Sequence, residues 1–169
     1  MSDIERGIIA MIPRLRRLGA ALCRDRSAAD DLVQDTVERA LARRHLFQNG
    51  SLRAWLTTIM LNLYRNERRK LARRPVLVDV NDPAYAAHLG AAASGMDGRR
   101  LDTVRALDRL PEDQRIALLL RVVEDCSYAE IAAIQEVAIG TVMSRLARAR
   151  ETLRELTESG SVTPIGKTR

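Results

Sequence analysis

The sequence is poor in the residues that catalytic and metal sites most often require. It has two cysteines, Cys23 and Cys126, which form no Cys-x-x-Cys pair, and two histidines, His45 and His88, at isolated positions. It also has no glycine-rich phosphate loop. We therefore expect no enzymatic activity, no bound metal and no cofactor, and we interpret both cysteines as reduced structural thiols.

Aromatic residues and long apolar runs are scarce as well. Aromatic residues make up 3% of the 169 residues, whereas hydrophobic residues make up 46%. The dominance of Ala, Leu and Arg favours helix, and no alternating strand pattern is convincing, so an all-α fold is predicted. The absence of a secretion signal, and of an apolar run of about 18 residues, predicts a soluble cytoplasmic protein without membrane insertion.

Positive charge is in excess, and the excess is unevenly distributed. The net charge is +6, and residues 1–75 carry 16 Lys and Arg against 8 Asp and Glu. The remainder of the chain is nearly balanced. This distribution indicates an anionic partner for the N-terminal part.

Two helices are predicted at the N-terminus. The first spans Ile4 to Arg24, with a kink or break at Pro13. A capping box at Ser27–Asp30 then starts a second helix that ends near Arg44. On its face opposite Val33, Val37 and Ala40, this helix carries acidic and amide side chains that could dock a basic protein surface. Simple solubility is the alternative interpretation. The members of this acidic face are Asp31, Gln34, Asp35 and Glu38.

A third helix is predicted from Leu52 to Arg73, capped by Ser51, with Trp55, Ile59 and Leu63 as its core stripe. Its C-terminal half forms a basic block suited to phosphates, although a solvated charged face is the alternative. Asn62 and Asn66 are interleaved there and can hydrogen-bond an exposed base. The cations of the block are Arg65, Arg68, Arg69, Lys70, Arg73 and Arg74.

The C-terminal third has the pattern of a helix-turn-helix. Ser127 and Glu130 have capping-box spacing, and a second helix begins near Gly140. Intervals of three and four predict one buried seam on that helix. The seam residues are Ile139, Val142, Leu146, Ala149 and Leu153.

The opposite face of this last helix is polar and basic. Thr141, Ser144 and Arg148 lie on it, with Arg145 on its flank. Arg can pair bidentately with guanine in the major groove, and Ser or Thr can contact bases or phosphates. We interpret this as a DNA-reading face, and an ordinary solvated face is the alternative.

Six segments in this order resemble the extracytoplasmic-function (group IV) sigma factors of bacterial RNA polymerase, over roughly residues 5–156. The sequence of Arg53–Lys70 also resembles that of the alphaproteobacterial general-stress branch of this family. The six segments are Asp30–Thr36, Arg53–Leu56, Asn62–Arg69, Leu110–Arg115, Ser127–Ala132 and Gly140–Leu146.

The resemblance implies two small helical domains. Residues 1–75 would form sigma region 2 and residues 101–157 sigma region 4, joined by a flexible linker over 76–100 and followed by a tail over 158–169. The linker would thread across the polymerase. The implied partners are promoter DNA, an anti-sigma factor and core RNA polymerase, contacted at its beta-prime clamp helices and beta flap. The free protein would be a monomer, or 1:1 with its inhibitor.

The resemblance also implies a role for individual residues. Asp31, Gln34 and Asp35 would bind the beta-prime clamp helices. A second group would open and read the minus-ten element. A third group would read the minus-35 element, where Arg121 could contact the DNA backbone. The minus-ten group is Asn62, Arg65, Asn66 and Arg69. The minus-35 group is Arg121, Thr141, Ser144, Arg145 and Arg148.

Two residues depart from the family pattern. Glu136 stands in a turn that often carries Gly, so a non-glycine turn geometry is required there, and its cost is small if φ stays negative. Met143 replaces a residue that is usually basic or polar, which predicts fewer polar contacts with minus-35 DNA.

Two other functions compete with a promoter-specificity subunit. A sigma-like decoy would sequester an anti-sigma factor without binding promoter DNA, but such mimics usually carry a receiver domain for which this chain has no room. A plain helix-turn-helix repressor would leave the N-terminal block unexplained.

Overall fold

The computed structural model describes residues 1–23, 25–73 and 106–158, and all regular structure in these ranges is helical. The predicted all-α class is therefore confirmed. The linker over 76–100, Arg74, His88 and the tail beyond Glu158 lie outside the described residues. The longer α-helices are α1 (Asp3–Leu22), α2 (Arg26–Ala42), α3 (Leu52–Arg73), α4 (Glu112–Val122), α5 (Tyr128–Gln135) and α6 (Ile139–Glu158), with a 3-10 turn at Arg44–Leu46. Residues 106–108 are helical as well.

The described residues belong to two compact units. The first contains α1, α2 and α3 together with residues 119–137. The second contains residues 106–118 and 138–158. Each unit therefore combines segments that are far apart in the chain.

Side-chain caps stabilise the N-terminal ends of α1 and α2. The Ser2 hydroxyl and Glu5 carboxylate form a capping box at α1, which the sequence analysis missed. Asp25, rather than Ser27, caps α2, because its side chain accepts a hydrogen bond from the backbone N–H of Ala28 at 2.8 Å. The predicted start of the second helix was therefore two residues late.

Helix α1 is continuous through Pro13, so of the two predicted outcomes, a kink or a break, the break is wrong. Ile8 and Leu15 are buried on either side of the proline, and their packing holds both halves of the helix in the core. Gly19 allows α2 to approach α1 closely, since a Cβ there would lie 3.3 Å from the carbonyl oxygen of Ala29 and from Cγ2 of Val33.

The buried side of α3 differs from the predicted stripe. Trp55, Ile59 and Leu63 are only half-buried, and Trp55 packs on the ring of Phe47 with a centroid separation of 5.4 Å. Helix α3 contacts α1, α2 and α5, so its buried surface is broader than one stripe and is centred one residue further along. Its buried residues are Leu56, Thr57, Met60, Leu61 and Tyr64.

The seam predicted for α6 is confirmed in its middle and wrong at its start. Val142, Leu146 and Ala149 are completely buried, whereas Leu153 is half-buried. Ile139 is 50% exposed, because it lies in the first turn, ahead of the part of the helix that the core covers.

The turn after α5 has an unexpected backbone conformation. Glu136 has φ 56° and ψ 45°, in the left-handed region, so the negative φ that would have made a non-glycine residue inexpensive here is not adopted. This conformation closes the helix, because the N–H of Val137 then reaches the carbonyl oxygen of Ala132 at 3.0 Å. A left-handed non-glycine residue costs about 1–2 kcal/mol, a cost that glycine avoids.

We therefore expect Glu136→Gly to raise the free energy of unfolding by about 1 kcal/mol, part of the relieved strain being offset by the greater freedom of glycine in the unfolded chain. Urea denaturation followed by circular dichroism measures the change. Glu136→Ala is the matched control, since it removes the same side chain but keeps a Cβ at positive φ. An equal gain in both variants would contradict the explanation from backbone strain.

Candidate nucleic-acid interface

The exposed face of α3 carries the predicted minus-ten residues. Asn62, Asn66 and Arg69 are exposed and Arg65 is partly exposed. Their helical spacing places all four on the side opposite the buried residues of α3. Two amides and two guanidinium groups are therefore brought together on one surface.

The polar face of α6 is open to solvent. Thr141, Ser144 and Arg148 are exposed, and the Ser144 hydroxyl donates a hydrogen bond to the carbonyl oxygen of Gly140 at 3.0 Å. The Ser144 oxygen keeps its acceptor capacity, and Arg148 lies one turn further along. These three side chains stand together, as the sequence predicted.

Arg145 and Arg121 have partners within the protein. The Arg145 guanidinium lies 2.7 Å from the carboxylate of Asp113, near the start of α4, and its side chain is only 20% exposed. Arg121 pairs with Asp125 at 3.0 Å and donates to the carbonyl oxygen of Cys126 at 3.2 Å. A DNA contact by either arginine would have to share or exchange these partners.

The acidic face of α2 is exposed, as expected. Asp31, Gln34 and Asp35 are all accessible, and the Gln34 amide donates to the Glu38 carboxylate at 2.9 Å. A groove of about 420 Å³ lies beside this face between α1 and α2. Its lining residues include Ile12, Arg16, Val33, Gln34, Val37 and Glu38.

A buried ionic cluster, which the sequence analysis missed, joins distant parts of the first unit. Glu124 is 1% exposed, and its carboxylate accepts a hydrogen bond from Arg14 Nε at 2.7 Å. Arg14 and Arg53 each donate to the backbone carbonyl of Glu124 at 2.8 Å, and Arg53 also contacts the Glu130 carboxylate. The cluster ties α1 and α3 to the segment between α4 and α5.

The charges of the cluster shift its protonation equilibria. Desolvation would lower the pKa of Arg53, but its hydrogen bond to Glu130 and the nearby carboxylates outweigh this effect and raise it. The backbone N–H of Ser127, followed by Arg53, lowers the pKa of Glu130. Burial raises the pKa of the Cys126 thiol despite Arg53, which fits an inert structural thiol. The Arg53 guanidinium and the Glu130 carboxylate therefore stay charged near neutral pH.

The sequence contained only a partial signal of this cluster. Arg53 and Glu130 lie in the recognised motifs, and Glu130 has a second, local role in the capping box of α5. Nothing in the spacing links Arg14 to Glu124, which are 110 residues apart. Their pairing depends on the tertiary structure.

We expect Arg14→Ala to lower the free energy of unfolding by about 2–4 kcal/mol, because it leaves the buried Glu124 carboxylate without its cation. Arg53→Ala should lower it by about 1–3 kcal/mol, because it removes a hydrogen bond to the Glu124 carbonyl and the pair with the partly exposed Glu130. The partial exposure of both arginines keeps the loss below that of a fully buried pair. Arg17→Ala on the exposed side of α1 is the control, with a change within about 0.5 kcal/mol. Equal losses in all three variants would show that the cluster adds no stability of its own.

Within the described ranges, no helix is both long enough and apolar enough to cross a membrane.

Two families match separate parts of the chain. Residues 8–61 match the family described as the Sigma2 domain of PhyR, and residues 100–153 match Sigma-70, region 4. The chain is 43% identical over 151 residues to the ECF RNA polymerase sigma factor EcfG of Rhodopseudomonas palustris (strain TIE-1), covering 88% of this chain and 82% of that protein.

Solved structures are similar over nearly the whole chain. One is the sigma factor RpoE in complex with the anti-sigma factor NepR from Bartonella quintana, with a TM-score of 0.72, 31% identity, and coverage of 94% of this chain and 98% of that one. Another is the PhyRSL–NepR complex from Sphingomonas sp. Fr1, with a TM-score of 0.70 and coverage of 100% and 98%. Its 21% identity supports the fold alone.

Proposed function

The chain belongs to the extracytoplasmic-function sigma factors of bacterial RNA polymerase, which direct transcription, and from this premise we propose how its surfaces share the work. The observation that carries the proposal is the presence of three exposed faces with different chemistry. Helix α2 presents acidic groups, α3 presents asparagine and arginine, and α6 presents Ser, Thr and Arg. We assign them to polymerase, to the minus-ten element and to the minus-35 element.

The acidic face of α2 is the polymerase-binding surface in this proposal. Asp31 and Asp35 are exposed and repel DNA phosphates, so a basic protein surface is the better partner. The apolar side chains in the adjacent groove, Ile12, Val33 and Val37, add area that a helical partner can cover. The beta-prime clamp helices are the proposed ligand here, and the beta flap is the proposed contact of region 4.

Helix α3 is the proposed reader of the minus-ten element. Arg65 and Arg69 can hold the phosphates of one strand while Asn62 and Asn66 meet base edges. Separating a base from its stack costs a few kcal/mol, and contacts of this kind recover it. This arrangement supports promoter opening as well as binding.

Helix α6 is the proposed reader of the minus-35 element. Thr141, Ser144 and Arg148 face solvent together and have the chemistry for base and phosphate contacts. Arg145, held by Asp113, is assigned to the flank of this face, and Arg121 is assigned to a contact with the DNA backbone. Arg148 is therefore the arginine best placed to read a base.

A protein inhibitor is a further proposed partner. RpoE of Bartonella quintana, 31% identical to this chain, was solved with the anti-sigma factor NepR. We propose that a protein of that class binds this chain 1:1 in the cytoplasm, and that the free chain is a monomer.

The match of residues 8–61 to the Sigma2 domain of PhyR favours one competing function, a decoy that only sequesters the inhibitor. In vitro transcription with core polymerase on a genomic promoter library separates the two. A sigma factor yields promoter-dependent transcripts, and a decoy yields none.

Reversing Asp31 and Asp35 to Lys should weaken binding to core polymerase by at least about tenfold, because like charges would then face each other. Both side chains are exposed, so the fold should be preserved. Titration of labelled protein with core enzyme measures the affinity, and Glu155→Lys on the exposed side of α6 is the control. Unchanged affinity of the double variant would remove polymerase binding from this face.

Asn62→Ala should impair formation of the open complex while sparing binding of the minus-35 duplex, since alanine cannot satisfy the donor and acceptor of an extruded base. Permanganate footprinting of the melted region measures the effect. The control is Asn49→Ala, an exposed asparagine outside α3. Undiminished thymine reactivity in a correctly folded Asn62→Ala protein would show that Asn62 does not read the strand.

A further inference from the structure

Helix α6 has an exposed apolar strip beside its polar face. Ile139 is 50% exposed, Met143 is 54% exposed, and Ala147 is exposed one turn further along. The three residues are spaced by four, so they form one row along the first turns of the helix. We call this row, Ile139, Met143 and Ala147, the apolar strip.

The strip is separate from the hydrophobic core. Val142, Leu146 and Ala149 supply the buried side of α6 and are completely inaccessible. Ile139 and Met143 leave large apolar surfaces in water, which is unfavourable for a free protein. Their exposure is therefore a cost that binding of a ligand would relieve.

Resting on the function proposed above for α6, we propose that the apolar strip reads the methyl groups of thymines in the minus-35 element, with Met143 as the specificity-determining residue. The C5-methyl of thymine is an apolar feature of the major-groove edges, and it distinguishes thymine from the other bases. Helices of this type present their N-terminal residues to base edges, and Ile139 and Met143 lie in that part of α6.

The surroundings of the strip favour DNA over a protein ligand. From Ile139 to Arg150 the helix contains no acidic residue but has three arginines, a charge that complements phosphates on both sides of a groove. Gly140 borders the strip, and a Cβ there would meet nothing within 4 Å, so a base edge can approach closely. The unbranched, flexible side chain of Met143 can adapt to a methyl group of either strand.

The other flank of α6 explains why an apolar reader matters. Arg145 is drawn toward Asp113 and is mostly covered, which leaves Arg148 as the exposed arginine of the DNA-reading group on this helix. Guanine contacts are then few, and discrimination at neighbouring positions depends on shape and methyl contacts. Met143, an apolar residue at a position that is usually basic or polar, would therefore shift the preferred base at its contact toward thymine.

The test uses the full chain assembled with core polymerase. Duplexes are first selected from a library randomised over the upstream promoter element. Each thymine of the selected duplex is then replaced singly by uracil, which removes only the methyl group, and binding is measured by fluorescence anisotropy. Loss of the contacted methyl should weaken wild-type binding about fourfold, the effect of burying one carbon group.

Variants identify the residue that makes the contact. Met143→Ser should bind the thymine and uracil duplexes equally, whereas Met143→Leu should keep the discrimination because it restores apolar contact. Val122→Ser, which changes a side chain that is 71% exposed on α4, should behave as the wild type. Thermal unfolding of each variant confirms that the fold is intact.

Two results would overturn the inference. Equal wild-type affinity for thymine and uracil at every position would show that no methyl is read, and unchanged discrimination in Met143→Ser would show that another residue reads it. In the second case, weaker binding of the Met143→Ser variant to core polymerase would assign the strip to a protein surface.

Arg148→Ala separates failure of this inference from failure of the proposed function. If Arg148→Ala weakens duplex binding about five- to 150-fold while uracil has no effect, α6 still reads the minus-35 element and only the methyl contact is wrong. If no duplex is selected, or neither Arg148→Ala nor Met143→Ser alters binding, the assignment of α6 to that element is itself overturned.

Discussion

The buried carboxylate of Glu124 is the constraint on which the first unit depends. A charge inside a protein must be paired, because its desolvation otherwise costs several kcal/mol. Arg14 from α1 supplies the cation for this carboxylate, and both Arg14 and Arg53 from α3 bind the backbone carbonyl of the same residue. The geometry of this cluster holds residues 119–137 with the N-terminal helices.

This constraint divides α3 into two functional halves. Arg53 and Leu56, in the first turns, are occupied by the ionic cluster and the core. The exposed amides and guanidinium groups, from Asn62 to Arg69, follow in the second half. One continuous helix therefore serves as an internal anchor at its beginning and as a proposed nucleic-acid surface at its end, and the rigidity of the helix links the two.

In helix α6, the structural and the proposed functional residues lie on different faces of the helix, whereas in α3 they lie in different halves along its length. The buried side of α6 is set by Leu146 and its neighbours, and one flank is fixed to α4 through the pair of Arg145 with Asp113. The remaining surface combines Arg148 with the apolar row that contains Met143. An internal ion pair thus reduces the number of available cations, and the exposed surface acquires a chemistry different from a purely basic one.

The sequence by itself determined the features that depend on residues close in the chain. Helix α3 and the capping box of Ser127 with Glu130 follow from local hydrogen bonds and helical periodicity, which act within a few residues. Periodicity also reveals that one face of a helix is apolar, but it does not reveal how much of that face other helices cover. Only the tertiary structure decided the exposure of Ile139 and the pairing of Arg14 with Glu124, because both depend on contacts between distant segments.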